Sequence, residues 1–118
     1  AINRCLVGSE MCIRDSKTKV SIKPSTLQTI REGLRKVVSS GTGAGLNGPG
    51  IPPGAGKTGT AEDSTGGPDH AWFGCYAPYP NGEIVVVAFA QNTPGGGSVH
   101  ALPMAKKVLA EWEKGRQR

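Results

Sequence analysis

The segment PGAGKTGTAE, Pro53–Glu62, decides how this sequence is interpreted. Its first half, Gly-Ala-Gly-Lys-Thr, is similar to a phosphate-binding loop. Its second half, Lys-Thr-Gly-Thr, is instead compatible with a polar β-strand. The two interpretations predict different substrates, and the flanking residues discriminate between them.

A phosphate-binding loop requires a glycine, four residues and then Gly-Lys-Ser/Thr at the start of a helix. Ile51 stands where the first glycine should be. Pro52 and Pro53 cannot belong to a central strand, because proline donates no ladder hydrogen bond. The residues after Thr60 have turn composition and no helical pattern. The sequence therefore disfavours a nucleotide-binding module.

As a strand facing a site, the four residues Lys57–Thr60 have compatible chemistry. Lys57 would place a positive charge beside a nucleophile and an anionic substrate, and the hydroxyls of Thr58 and Thr60 would hold a substrate carboxylate. Gly59 leaves room for another chain to approach. An exposed strand edge can also pair with an extended peptide, and a backbone amide near Thr60 can join an oxyanion hole.

The composition limits the class of protein. The chain has 118 residues, enough for one small domain, with a lean aliphatic core predicted from 36% hydrophobic and 5% aromatic residues. Its net charge of +5 is spread along the chain without interleaved aromatics, which argues against nucleic-acid binding. Cys5, Cys12 and Cys75 lack metal-ligand spacing, so we expect no metal, and nothing indicates a cofactor.

Residues 1–16, AINRCLVGSEMCIRDS, do not fit the rest of the chain. They show no sustained period and no capping or turn signal. The block CLVGSEMCIRD also resembles a translated sequencing-library adapter. We therefore expect residues 1–16 to be a non-native segment, the alternative being a native but irregular one, and the domain to comprise residues 17–118.

The segment Pro24–Ser40 is predicted to be a helix, because its apolar residues recur at helical spacing: Leu27, Ile30, Leu34, Val37 and Val38. Ser25 followed by Gln28 suggests a capping box, and Gly41 a helix end. Residues 41–56 contain seven glycines and three prolines, which predicts a long irregular surface loop.

Three strands are predicted next, at Ala55–Ala61, Ala71–Tyr79 and Glu83–Asn92, with a tight hairpin turn at Pro80–Gly82. In the third strand both alternating faces are apolar, so both faces of the sheet require a cover. A last helix has Leu102, Ala105, Val108, Leu109 and Trp112 on one side, with Pro103 tolerable only in its first turn.

The predicted fold class is α+β: a three-stranded antiparallel meander with a helix before and a helix after. Two helices can cover one face of such a sheet. The second face requires a further covering element that this sequence does not contain, which indicates a fragment.

Four segments in this order resemble the C-terminal part of the transpeptidase domain of class B, elongation-type penicillin-binding proteins. They are KTGTAE, HAWFGCYAP, IVVVAFAQN and ALPMAKKVLAEW. The preceding helix and SSGTG also fit, so the resemblance covers roughly residues 17 to 115. It implies a fragment of the penicillin-binding protein and serine β-lactamase fold. It also implies a D,D-transpeptidase, in which a serine attacks D-Ala-D-Ala stem peptides and the acyl group passes to an amine.

The resemblance gives the segment Lys57–Thr60 specific roles. Lys57, Thr58 and Gly59 match the family's Lys-Thr-Gly motif. Lys57 is then catalytic, Thr58 and Gly59 bind substrate, and Thr60 takes the oxyanion and carboxylate role.

Two further family motifs, Ser-x-x-Lys and Ser-x-Asn, are not satisfied. Ser16–Lys19 matches the first formally, but it lies too few residues before Lys57 for a helical subdomain to intervene. No Ser-x-Asn occurs. We therefore expect a fragment that lacks the nucleophile and is inactive alone, although its parent is an enzyme.

The resemblance also implies a location and partners. It predicts the extracytoplasmic face of the bacterial inner membrane, with an anchor outside this sequence. Partners are peptidoglycan stem peptides, β-lactams and the parent protein's cell-wall elongation machinery. Alternatives within the same fold are a non-catalytic penicillin-sensor or interaction domain, and a serine β-lactamase or carboxypeptidase.

Overall fold

A computed structural model describes residues 17–118. Along the chain lie α1 (Pro24–Ser40), a 3-10 turn (Ala44–Leu46), β1 (Ala55–Ala61), β2 (His70–Ala77), β3 (Ile84–Ala90) and α2 (Ala101–Arg116). The strands form one antiparallel sheet in the order β1-β2-β3. The predicted α+β meander flanked by two helices is confirmed. The predictions for residues 1–16, including Ser16, lie outside the described residues.

The core lies between α2 and one face of the sheet. Strand alternation places every second residue of β2 on this face, and the side chains of Ala71, Phe73, Cys75 and Ala77 are all buried. Helix α2 packs on them through Ala101, Leu102, Ala105 and Leu109. Full burial of each large side chain contributes about 1.5–3 kcal/mol. This packing holds the meander against its C-terminal helix.

The opposite face of the sheet is apolar and open. The side chains of Val85 and Val87 are 74% and 64% exposed, and those of Trp72 and Phe89 are 42% and 40% exposed. The rings of Trp72 and Phe89 pack against each other at a tilt of 44°, with centroids 4.4 Å apart. The prediction that β3 has two apolar faces is confirmed. Helix α2 alone covers one face, whereas Leu27, Ile30 and Leu34 of α1 line a surface cavity beside Tyr76 and Val85 of the other.

Helix α1 begins one residue earlier than its predicted cap. Pro24 is the first helical residue, Lys23 precedes it, and no side chain caps the helix. Proline suits this position because its φ angle is already helical and its missing N–H needs no partner. Ser25 is therefore helical, and its carbonyl oxygen accepts a bond from Thr29 Oγ1. The predicted capping box is wrong, whereas the helix end at Gly41 is confirmed.

Helix α2 follows the prediction in its first turn and departs from it later. Pro103 lies in the first turn, as predicted. Val108 is 48% exposed and does not belong to the buried side. Trp112 is half-buried, with the Arg116 guanidinium 5.0 Å from its ring centroid. No helix among residues 17–118 is long and apolar enough to cross a membrane.

The connection between β2 and β3 is longer than the predicted tight turn. The last cross-strand pair is Ala77 and Ile84, and the Glu83 N–H donates to the Ala77 carbonyl over 2.8 Å. Pro78 has no N–H for the ladder, so β2 ends before it. Tyr79, predicted to be in the strand, instead donates its N–H to the Pro53 carbonyl.

The glycine-rich segment before β1 is more firmly attached than its composition predicts. The side chain of Leu46, within the 3-10 turn, is only 1% exposed and joins the core. Lys106 of α2 donates to the carbonyls of Gly45 and Asn47, each over 2.8 Å. These contacts fix the path of the chain as it enters β1.

Candidate active site on strand β1

Strand β1 carries all four predicted site residues and lies at one edge of the sheet. It pairs with β2 only, from Ala55 opposite Tyr76 to Ala61 opposite His70. Among the described residues no strand pairs with its other edge. An edge strand can in general accept an extended partner, although here α1 packs against β1 and Gly97 approaches Gly59. Since Lys57 lies inside this strand and not before a helix, the phosphate-loop interpretation is excluded.

Lys57 places its charge on the open face of the sheet. It is exposed and lies opposite Gly74, which has no side chain to shield it. Its Nζ donates to the carbonyl oxygen of the next residue, Thr58, over 2.9 Å. The ammonium is thus held near its own strand, where it remains accessible to an anionic group.

Thr58 points to the other face and contacts the segment after α1. Its Oγ1 lies 2.9 Å from Thr42 Oγ1, so one hydroxyl donates to the other. The turn carrying Thr42 is held by the N–H groups of Gly41 and Gly43, which both donate to the Val37 carbonyl. A Cβ at Gly41 would lie 2.9 Å from Val37 backbone atoms, so glycine is required there.

Thr42 is a site neighbour that the sequence did not identify. It lies within the SSGTG segment, Ser39–Gly43, which the sequence singled out only by family resemblance. No periodicity links this segment to Lys57–Thr60. The hydroxyl contact follows from tertiary packing, because α1 packs against β1.

Gly56 is required by close packing within the sheet, whereas Gly59 is only tightly packed. A Cβ at Gly56 would lie 2.5 Å from the Gly74 carbonyl oxygen, and one at Gly59 would lie 3.3 Å from the Cβ of Trp72. Gly59 was predicted to leave room for another chain. In the structure, Gly97 of the same chain approaches the Gly59 backbone and the Trp72 carbonyl closely.

Thr60 is exposed and lies against a short segment, Gly95–Gly97, which we call the glycine loop. Gly96 has φ of 76°, and a Cβ on it would lie 2.7 Å from Thr60 Oγ1. Only glycine allows this approach without strain or displacement of the hydroxyl. The glycine loop therefore borders the Thr60 side of the site.

The side chains assembled here supply charge and hydrogen bonds. Cys75 lies nearby on β2, but its burial raises the pKa of its thiol to about 11, so it is a poor nucleophile. Within residues 17–118 no group of three His, Cys, Asp or Glu side chains is placed to hold a metal ion. Lys57 supplies a charge on one face of β1, and Thr58 and Thr60 supply hydroxyls on the other face.

Comparison with known proteins identifies the family. Residues 10–110 match the model of the penicillin-binding protein transpeptidase domain. The chain therefore belongs to this family. The match begins inside the 1–16 segment, and the interpretation of that segment remains a prediction.

Three relatives indicate what the chain is similar to. It is 54% identical over 41 residues to the peptidoglycan D,D-transpeptidase MrdA of Haemophilus influenzae. This aligned stretch covers 35% of the chain and 6% of MrdA. The D,D-transpeptidase domain of a peptidoglycan glycosyltransferase from Eggerthella lenta superposes with a TM-score of 0.64 at 30% identity, over 87% of the chain and 24% of that structure.

A solved peptidoglycan synthase complex that coordinates polymerization and crosslinking superposes with a TM-score of 0.59 at 42% identity, over 72% of the chain and 16% of that structure. In each case the chain spans a quarter or less of the relative's length.

Proposed function

We propose that this chain is the C-terminal part of a class B, elongation-type transpeptidase, and that its parent protein crosslinks peptidoglycan. The parent's serine would attack the D-Ala-D-Ala bond of one stem peptide, and the acyl group would pass to an amine on another. β-Lactams would trap the same acyl-enzyme. The 54% identity to MrdA supports the elongation-type assignment.

The residues of β1 have distinct roles in this proposal. Lys57 stabilises negative charge beside the nucleophile and the substrate, and Gly59 belongs to the substrate-binding strand, with Gly97 of the same chain packed beside it. The hydroxyls of Thr58 and Thr60 hold the substrate carboxylate. The Thr60 amide contributes to an oxyanion hole, whose donors act on charge that develops in the transition state.

One observation carries the proposal: the family's Lys-Thr-Gly motif lies on an edge strand. A stem peptide in extended form can then add to β1 by main-chain hydrogen bonds, while Lys57 and the two threonines select its anionic end. The other lysines and arginines of residues 17–118 are scattered along the chain and are not combined with threonines on an edge strand.

We expect the chain alone to be inactive, because residues 17–118 contain neither the Ser-x-x-Lys nor the Ser-x-Asn motif that would supply the nucleophile and the general base. The open sheet face with Trp72, Val85, Val87 and Phe89 is consistent with this, because in the parent it would be covered by the remainder of the transpeptidase domain. The parent would act at the extracytoplasmic face of the inner membrane, in the periplasm, held by an anchor outside this sequence, in the machinery that maintains cell shape.

Labelling of the full-length parent by a fluorescent penicillin tests this function. We expect Lys57→Ala to slow acylation by about 10²–10³-fold, the usual cost of removing one preorganised electrostatic contact. Lys107→Ala, an exposed position on α2 with the same change of charge, should acylate like the wild type. Equal rates for the two variants would refute the role of Lys57.

A second assay separates the transpeptidase from its alternatives. The parent, free of penicillin, is offered a D-Ala-D-Ala donor peptide together with an amine acceptor, and its acylation by penicillin is followed in a separate sample. Formation of the crosslinked product supports the transpeptidase. Acylation without transfer or hydrolysis would instead indicate a penicillin sensor, and rapid hydrolysis a β-lactamase or carboxypeptidase.

A further inference from the structure

The carboxylate of Asp63, just beyond β1, is the centre of a polar cluster. Its Oδ1 accepts from the Thr65 N–H over 3.2 Å, and its Oδ2 accepts from the Thr65 hydroxyl over 2.5 Å and the Gly67 N–H over 3.2 Å. These three bonds are local and order the turn between β1 and β2. The Thr65 bonds are the main reason why the pKa of Asp63 is lowered.

A fourth bond reaches a distant part of the chain. Asn92, just after β3, donates its Nδ2 to Asp63 Oδ2 over 3.1 Å and to the Pro68 carbonyl over 2.9 Å. Its backbone N–H donates to His70 Nδ1 over 3.0 Å. Asn92 has φ of 49°, a left-handed conformation that asparagine tolerates better than most residues. One side chain therefore joins the end of β3 to the β1–β2 turn.

The glycine loop begins directly after this junction. Thr93 donates its N–H to the Asp69 carbonyl over 2.9 Å, which extends the junction by one residue. At the other end of the glycine loop, the Gly97 carbonyl accepts from the Leu102 N–H over 2.8 Å. The loop is thus held by Asn92 on one side and by α2 on the other, and between them it lies against Thr60.

We propose that Asp63 is a positioning residue for the Thr60 site, because its bond to Asn92 holds the glycine loop against Thr60. This inference rests on the function proposed above. Stabilising the turn alone would need only the bonds to Thr65 and Gly67. The Asn92 bond spans 29 residues and connects the two segments that flank Thr60.

The test compares two variants of the full-length parent. Asn92→Gly removes the amide that reaches Asp63, while glycine keeps the positive φ accessible. Thr65→Val is the control: it removes a local donor to Asp63 and leaves the Asn92 bond in place. Two quantities are measured, the acylation step at saturating fluorescent penicillin and the hydrogen exchange of the amides of the glycine loop.

We expect Asn92→Gly to slow the acylation step by about 10–10²-fold, in line with the cost of misplacing a site by about 1 Å. The half-saturating penicillin concentration should change less. Exchange in the glycine loop should accelerate, while Thr65→Val stays within about twofold of wild type in both measurements. Asp63→Ala should change both measurements in the same direction as Asn92→Gly but by less, because Asn92 keeps its bond to the Pro68 carbonyl.

If the Asn92→Gly variant has the same amide exchange in the glycine loop and the same acylation step as the Thr65→Val variant, Asp63 does not position the Thr60 site. A fall in melting temperature with an unchanged acylation step per folded molecule would also overturn it, because this would indicate a purely structural bond. If the wild-type parent does not acylate at all, the proposed function fails. The exchange measurement then still decides whether Asp63 and Asn92 hold the loop.

Discussion

The hydroxyls of Thr42 and Thr58 lie 2.9 Å apart, although 16 residues separate them in the sequence. Thr58 belongs to the candidate site, and Thr42 belongs to the turn that ends α1. The orientation of the Thr58 hydroxyl is therefore coupled to the position of α1, a helix that contributes no predicted site residue.

Removing the Thr42 hydroxyl should weaken the site without altering its charge. A typical hydrogen bond contributes about 0.5–1.5 kcal/mol, so Thr42→Val should slow acylation of the parent by about 2–12-fold. Thr26→Val, at an exposed position of α1, is the matched control and should leave the rate unchanged. If both variants acylate at the wild-type rate, Thr42 does not orient Thr58.

The open face of the sheet should make the isolated chain associate. Val85 and Val87 point outward from β3, whose other edge pairs with no strand among residues 17–118. Exposed apolar patches and unpaired strand edges both promote aggregation. We expect the double variant Val85→Lys/Val87→Lys to be more soluble and closer to monomeric in sedimentation velocity.

The matched control for this prediction adds the same two positive charges at exposed valines that lie away from the sheet. Val20→Lys/Val108→Lys replaces side chains that are 70% and 48% exposed. It should improve solubility less than the β3 variant. A wild-type chain that sediments as a soluble monomer would contradict the prediction.

Cys75 should resist alkylation while the chain is folded. Its burial raises the pKa of the thiol from 9.0 to about 11, so little thiolate exists at pH 8. Because the folded pKa is the higher one, the associated stability is complete below pH 9 and is lost as the pH rises toward 11. Peptide mapping after iodoacetamide treatment should find Cys75 unmodified at pH 8 and modified in urea.

Two results would contradict this account of Cys75. One is rapid modification of the folded protein at pH 8, which would indicate an accessible thiolate. The other is an unchanged loss of stability between pH 9 and 11 when Cys75 is replaced by alanine. The substitution should reduce that loss, because the group that ionises is gone.

The sequence predicted those parts of the fold that depend on local pattern. The bounds of β1 follow from the turn-rich segments on either side of it, and the two faces of β3 follow from strand alternation. The end of α1 follows from Gly41. Pro24 and Pro78 were also informative, but their effects on helix start and strand end were underestimated. The fixed φ angle and missing N–H of proline are sufficient to predict both the start of α1 at Pro24 and the end of β2 before Pro78.

The contacts around the candidate site were beyond sequence reasoning. Thr42 meets Thr58, Leu46 enters the core, and Asn92 reaches Asp63 from loops that have no periodicity. Glycine-rich segments indicate where the chain can turn, but not which distant group it will contact. The lysine and threonines of β1 could be singled out, whereas the residues that orient them could not.

Gly56 has a consequence for how this strand can change over evolutionary time. Its missing side chain leaves space for the Gly74 carbonyl, so a larger residue cannot be brought to this position by shifting β1 along β2. A shift by one residue would also exchange the faces of Lys57 and Thr58. Descendants of this sequence can therefore replace side chains of β1 other than at Gly56 without moving the strand, whereas a one-residue change of register would turn Lys57 to the opposite face.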